Sequence, residues 1–218
     1  MIMKRHSIIK VFIKKLLREE DIAIFTGDTM CKEAYEYDRP ANFYLKDNFG
    51  LAVPLATGLA MGSHKRVFVF TGEGDFIRDL SCGIQAGASK CRNLFIVILN
   101  NKVYETASEL PNLFSSMNST RAMVASFALY MHDYTPYFKE RAYNHILDFF
   151  DDLTGPLTIF IDVPTGTKKD LKEVNISDEV MTSRLVYFNK LKFQEEESNN
   201  DDAVVLELNK QVELGGDE

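Results

Sequence analysis

Two short apolar runs, each ended by polar turn-forming residues, dominate the middle of the chain. Arg66-Val67-Phe68-Val69-Phe70-Thr71 leads into Gly72-Glu73-Gly74-Asp75, and Asn93-Leu94-Phe95-Ile96-Val97-Ile98-Leu99 leads into Asn100-Asn101. Runs of this length, rich in β-branched and aromatic residues, predict strands buried on both faces, as in a parallel sheet. The residues between them, Phe76 to Ala88, predict a crossover helix. The resulting βαβ unit sets an acid and an amide side by side at the carboxyl ends of two strands. Ligands of open α/β sheets bind at that edge.

The same alternation extends in both directions. Ile8, Ile9, Phe12, Ile13, Leu16 and Leu17 recur at helical spacing and predict a first helix over about Lys4 to Arg18. A strand follows at Ile22 to Phe25, then Thr26-Gly27-Asp28-Thr29, with Thr29 a candidate N-cap for a helix through Glu36. A short strand is expected at Phe43 to Leu45 and a small-residue helix at Gly50 to Met61. Beyond the double Asn, residues 102–120 read as a long polar stretch. Helices at about Arg121 to Met131 and Pro136 to Phe150 then precede a last strand at Leu157 to Val163. Strands alternating with helices predict a doubly wound, mostly parallel α/β sheet with helices on both faces.

Composition narrows this picture. The 218 residues, 45% of them hydrophobic, suit one α/β domain with a full core. A net charge of −7 argues against nucleic acid as a partner. No apolar stretch approaches the roughly 18 residues of a membrane span, and the lysine-interrupted N-terminus lacks a signal-peptide core. Cys31, Cys82 and Cys91 have neither metal-ligand spacing nor a disulfide pattern, so a cytoplasmic protein is expected. Residues 168–218 hold thirteen acidic and seven basic residues. They are expected to form an acidic, partly flexible extension to a domain at 1–167, with a solvated segment at 195–202 and a short strand at Ala203 to Leu208.

An acid and an amide are hard oxygen ligands suited to Mg²⁺ beside a phosphorylated ligand. Glycines let the backbone approach phosphates, and a helix N-terminus favours their charge. The Gly72-Glu73-Gly74 turn followed by Asn100-Asn101 resembles the diphosphate-and-magnesium motif of thiamine-diphosphate enzymes. Further blocks lie in the expected order: "FTGDTMCKEAYE" from Phe25, "NFYLKDNFG" from Asn42, "PLATGLAMG" from Pro54 and "GPLTIFIDVPTGTKKDL" from Gly155. Together they look most like the diphosphate-binding domain of phosphonopyruvate and sulfopyruvate decarboxylases.

The resemblance implies roles for particular residues. Glu73, the Asn101 amide and the Val103 carbonyl would hold Mg²⁺. Gly72, Gly74 and Asp75, with Asp28 and Thr29 opposite, would receive the diphosphate. Phe49 would be the apolar wedge that bends the cofactor, the Asp47 carbonyl would face its aminopyrimidine, and Glu105 would stand near the reacting carbonyl. The pyrimidine-binding half of such a site is missing from this sequence. A separate pyrimidine-domain subunit is therefore expected, in a heterotetramer or larger assembly acting on a small 2-oxoacid, by decarboxylation or carboligation.

Four departures from the family pattern leave a second reading open. Glu73 replaces an aspartate, Asp75 replaces a small or hydroxyl residue, and Asp28 stands where lysine is common. The segment "KVYETASELPN" (Lys102 to Asn112) lacks the expected glycine and histidine. Two added acids repel a diphosphate unless a base or metal offsets them. On that reading the chain is a catalytically silent scaffold or regulatory subunit.

Overall fold

The computed structural model describes residues 2–47, 50–78, 80–105, 109–112, 130–138 and 143–186. The chain divides into two units, Met1–Asn175 and Ile176–Glu218. In the second, a helix spans 178–186. The acidic segment 195–202, the strand expected at 203–208 and the C-terminal residues lie outside the described residues.

The first unit is built on a six-stranded sheet. Its strands are β1 (Ile22–Thr26), β2 (Asn42–Leu45), β3 (Val67–Gly72), β4 (Leu94–Asn100), β7 (Tyr130–Asp133) and β8 (Leu157–Asp162). Their order across the sheet is β2-β1-β3-β4-β8-β7, and every neighbouring pair is parallel. All residues of β1 and β4 are buried, as are the first five of β3, so both sheet faces are covered. This explains why these strands read as unbroken apolar runs.

Register determines what packs where. Phe25 pairs with Phe70 across β1 and β3, and Phe68 with Phe95 across β3 and β4. The rings stack at 4.7 and 4.6 Å. Phe12 closes edge-on over Phe70 at 5.1 Å, bringing the first helix onto this aromatic face. Such pairs add about 0.5–1.5 kcal/mol each beyond area burial.

The connecting elements are α1 (Arg5–Val11), α2 (Asp28–Tyr35), α3 (Ala52–Met61), α4 (Glu73–Arg78) and α5 (Leu80–Ser89). A two-stranded antiparallel ribbon, β5 (Val103–Tyr104) with β6 (Leu110–Pro111), follows β4. Short helices α6 (Thr135–Phe138) and α7 (Asn144–Leu147) lead to a 3-10 turn at Phe150–Asp152.

Several expectations need correction. The first helix is regular only to Val11, and Phe12–Leu16 widens into a π turn. Thr29 is not an N-cap: α2 starts at Asp28 behind Gly27, whose φ of 76° favours glycine, and no side chain caps it. The crossover begins three residues early, at Glu73, and consists of two helices, α4 and α5. Tyr130 and Met131 belong to a largely exposed edge strand instead of ending a helix, while 121–129 lie outside the described residues. The helix expected over 136–150 is replaced, where described, by two four-residue helices and the 3-10 turn.

Candidate functional site

Strand order reverses direction at β1, which has β2 on one side and β3 on the other. The carboxyl ends of β1 and β3 therefore form a topological switch point, where a crevice is expected. A cleft opens there. It is lined by Thr26, Gly27, Asp28, Thr29 and Met30 after β1, and by Gly72, Glu73, Gly74, Asp75 and Arg78 after β3. Leu99, Asn101, Val103, Tyr104 and Glu105 line it from β4, and Arg5 from α1.

Register explains the meeting of acid and amide. Gly72 pairs with Leu99, so Glu73 leaves β3 one residue on and Asn101 leaves β4 two residues on. Asn100 does not point to the ligand role. Its Nδ2 donates to Asp162 Oδ1 at 2.9 Å, tying β4 to β8, and its Oδ1 accepts the Lys102 N–H at 2.9 Å. Lys102 is held in the left-handed region at φ 65°. Asn101 Oδ1 accepts the Val103 N–H at 3.2 Å, which completes the turn. Each Asn thus shapes the corner, while the second stays on the cleft wall.

Glu73 is 4% exposed, and its Oε2 accepts a hydrogen bond from Asn112 Nδ2 at 3.3 Å. Tyr104 of the ribbon packs on the same turn: a Cβ on Gly74 would lie 2.4 Å from its ring. Glycine at 74 is thus required by the close approach of Tyr104.

The two acids that depart from the family pattern are both accommodated. Asp28 Oδ2 receives Lys32 Nζ at 2.7 Å, one helical turn on. Asp75 accepts from Thr26 Oγ1 at 3.4 Å. Burial raises its carboxyl above the ordinary aspartate range, against the opposing pull of Arg78 and the Thr26 hydrogen bond.

Glu105 is held from α1. Arg5 Nη1 donates to Glu105 Oε2 at 2.8 Å, while its Nε donates to Glu33 Oε2 at 2.7 Å. Burial alone would lower the guanidinium's pKa, but Glu33 and Glu105 outweigh it and hold the value above normal. Glu105 Oε1 is buried with no hydrogen-bond partner among the described residues.

Nine of the residues expected from sequence therefore line one cleft: Asp28, Thr29, Gly72, Glu73, Gly74, Asp75, Asn101, Val103 and Glu105. Asp47 is exposed and is not part of its lining. Phe49 lies outside the described residues. Sequence reasoning missed Arg5, Arg78, Tyr104 and Asn112. Among the described residues no cluster of three His, Cys, Asp or Glu could hold a metal by itself. One carboxylate with amide and carbonyl oxygens would fit a hard cation, given further oxygen ligands from elsewhere.

A parallel sheet with a cleft at its switch point defines an α/β ligand-binding domain. Residues 27–139 match the thiamine pyrophosphate enzyme C-terminal TPP binding domain, and the chain belongs to that family. It is 33% identical over 89 residues to the sulfopyruvate decarboxylase beta subunit of Methanothermobacter thermautotrophicus, covering 40% of this chain and 48% of that one. It is 31% identical over 101 residues to the Methanocaldococcus jannaschii beta subunit, covering 46% and 54%. The chain thus spans about half the length of the curated relatives it matches. Among solved structures, benzoylformate decarboxylase from Polynucleobacter necessarius superimposes with a TM-score of 0.55 at 18% identity, covering 78% of this chain and 34% of that one. The Rhodococcus jostii thiamine diphosphate-dependent 4-hydroxybenzoylformate decarboxylase gives 0.57 at 11%, with the same coverage. These two likenesses speak to the fold.

Proposed function

We propose that this chain is the diphosphate-binding subunit of a thiamine-diphosphate-dependent 2-oxoacid decarboxylase of the phosphonopyruvate or sulfopyruvate type. The observation that carries the reading is the meeting of Glu73, Asn101, Val103 and the Gly72–Gly74 turn in one switch-point cleft. Glu73, the Asn101 amide and the Val103 carbonyl would hold Mg²⁺, which would offset the negative charge of the diphosphate. Gly72, Gly74 and Asp75 would face the diphosphate from β3, and Asp28 and Thr29 from β1. Asp47 and Phe49 keep their proposed places at the aminopyrimidine and the cofactor bend. Bound thiamine diphosphate supplies an electron sink for the carbanion left when a 2-oxoacid loses CO₂. Glu105, fixed by Arg5, would stand near the reacting carbonyl.

The site needs a second chain carrying the pyrimidine-binding domain, in a heterotetramer or larger assembly. Two observations support this. Two curated relatives that the chain matches are named beta subunits. On the packed pair α3 and α5, Leu51, Met61 and Ile84 are 57%, 65% and 57% exposed. Cys82 Sγ reaches the Gly50 carbonyl at 3.8 Å, so Ile84 and Leu51 belong to one neighbourhood. Exposed apolar residues such as Leu51 and Ile84 offer that partner a contact. Residues 1–167 would form the cofactor domain and 168–218 the acidic extension, in a cytoplasmic protein. Among the described residues no helix is long and apolar enough to cross a membrane.

Calorimetric titration of thiamine diphosphate, with and without Mg²⁺, tests the reading on the chain co-purified with its partner. Saturable, metal-dependent binding is expected, followed by CO₂ release from a 2-oxoacid. Product analysis separates aldehyde release from carboligation. The silent-subunit reading draws on one observation: a Glu73 carboxylate oxygen is already engaged by Asn112. A stable complex that binds no cofactor would decide for it.

A further inference from the structure

Glu73 carries one methylene more than the aspartate it replaces, and the structure contains a residue that meets the extra length. Asn112 is 3% exposed and lies beyond the β5–β6 ribbon, at the end of the stretch that departs from the family pattern. Its side chain donates from Nδ2 to Glu73 Oε2 at 3.3 Å. Its backbone N–H donates to the Lys102 carbonyl at 2.8 Å, inside the turn that carries Asn101 and Val103. One residue therefore touches both halves of the proposed donor set: the acid through its amide, the amide-and-carbonyl turn through its main chain.

That link matters because the turn is strained and the acid is long. Lys102 has a positive φ, and Asn101 braces the corner from within through Val103. A glutamate side chain has one more rotatable bond than an aspartate, and Mg²⁺ tolerates little departure from octahedral oxygens at about 2.0–2.1 Å. With Oε2 held by Asn112, the direction of Oε1 is set. An aspartate at 73 would fall short of Asn112 by about 1.5 Å, one carbon–carbon bond.

We propose that Asn112 is a positioning residue for the divalent-cation site, orienting Glu73 against the Asn101–Val103 turn so that a glutamate serves where relatives of this pattern use aspartate. The inference rests on the functional reading above, with Glu73 as a metal ligand. It also gives the ribbon a purpose, since β5–β6 carries Asn112 back to the corner from which the chain left.

The test is a mutant cycle on the chain assembled with its partner. Thiamine diphosphate is titrated at a series of Mg²⁺ concentrations for wild type, Asn112→Ala, Glu73→Asp and the double variant, with melting of each protein followed in metal-free buffer. Removing a residue that orients a metal ligand typically weakens metal affinity about 10–100-fold. Asn112→Ala is expected to raise the half-saturating Mg²⁺ concentration by that order. In the Glu73→Asp background the same change is expected to add little, because the shorter acid no longer reaches position 112. Asn112→Ser, which likewise keeps the main-chain hydrogen bond, replaces the alanine variant if that fails to fold. An unchanged Mg²⁺ requirement in Asn112→Ala, or losses that multiply in the double variant, would show that Asn112 only braces the ribbon. Wild type that binds no cofactor at all overturns the functional reading, whereas binding that ignores Asn112 overturns this inference alone.

Discussion

The two ends of the sheet carry charge in different ways. At the amino-terminal end, ahead of β1 and β3, Asp21 is 1% exposed and both its carboxylate oxygens accept hydrogen bonds. It accepts from the Arg18 N–H at 2.8 Å and from Arg66 Nε at 3.0 Å, and Arg39 Nη2 donates to its carbonyl at 2.6 Å. Nearby, ahead of β4, Asn93 Nδ2 reaches the Ser63 and Lys65 carbonyls at 2.7 and 2.8 Å. At the carboxyl-terminal end, Arg5 is shared between two glutamates, Glu105 Oε1 has no partner among the described residues, and Asp75 is shifted by burial. Buried polar groups are normally satisfied, so exceptions call for a reason. Among the described residues two buried side-chain atoms lack a partner: Thr158 Oγ1, near the start of β8, and Glu105 Oε1, at the edge where the fold expects a ligand. The charged groups at the amino-terminal end close the fold, and Glu105 leaves the other end chemically unfinished.

The sharpest way to break that contrast is at the closed end. Asp21→Ala would leave Arg66 without its buried partner and remove the acceptor of the Arg18 N–H. Breaking a buried ion pair costs about 3–5 kcal/mol. The low end of that range is expected, because Arg66 Nη1 keeps Asp151 at 3.1 Å. Urea unfolding should show the loss equally with and without thiamine diphosphate and Mg²⁺. A variant of normal stability but poor cofactor affinity would erase the division of labour between the two ends.

How far the sequence disclosed each end follows from the range of the interactions. The central strands were legible because burial on both faces demands unbroken apolar runs. β7 was not, since Tyr-Met-His-Asp is polar and mostly exposed at the sheet edge. The cleft residues were legible because they follow directly on β1, β3 and β4. Arg5 was hidden among the basic positions of an amphipathic helix, and its partners lie 28 and 100 residues away. Asn112 closes onto Glu73 from 39 residues away, through a two-residue ribbon with no periodicity. Cleft-lining positions were local in the sequence; the residues that hold them were not.

A middle-sized effect is expected where the open end is packed most tightly. Gly74→Ala places a methyl carbon 2.4 Å from the Tyr104 ring. Overpacking costs about 1–3 kcal/mol, offset by up to about 1 kcal/mol of helix propensity. The net loss should be near 1–2 kcal/mol in urea unfolding, with weaker Mg²⁺-dependent cofactor binding as Tyr104 shifts the ribbon. Adding Tyr104→Ala should remove the clash, so that Gly74→Ala is neutral or stabilising in that background. A cost that persists without the ring would mean that the turn itself, and not Tyr104, requires glycine.

The smallest effect tests whether burial governs the Asp75 carboxyl. Burial raises the Asp75 carboxyl above its ordinary value of 3.8 in the folded chain. Between the unfolded value and the raised one, the folded state binds more protons than the unfolded state. Stability therefore falls as pH rises through that window and stays lower above it. Asp75→Asn cannot titrate, so its stability relative to wild type should grow from near pH 4 upward and then level off, in metal-free urea titrations at matched ionic strength. The opposite slope would mean that Arg78 and Thr26 stabilise Asp75 as an anion. Asp75 would then belong with Asp21, as a satisfied structural charge, and the unfinished character of this edge would rest on Glu105 alone.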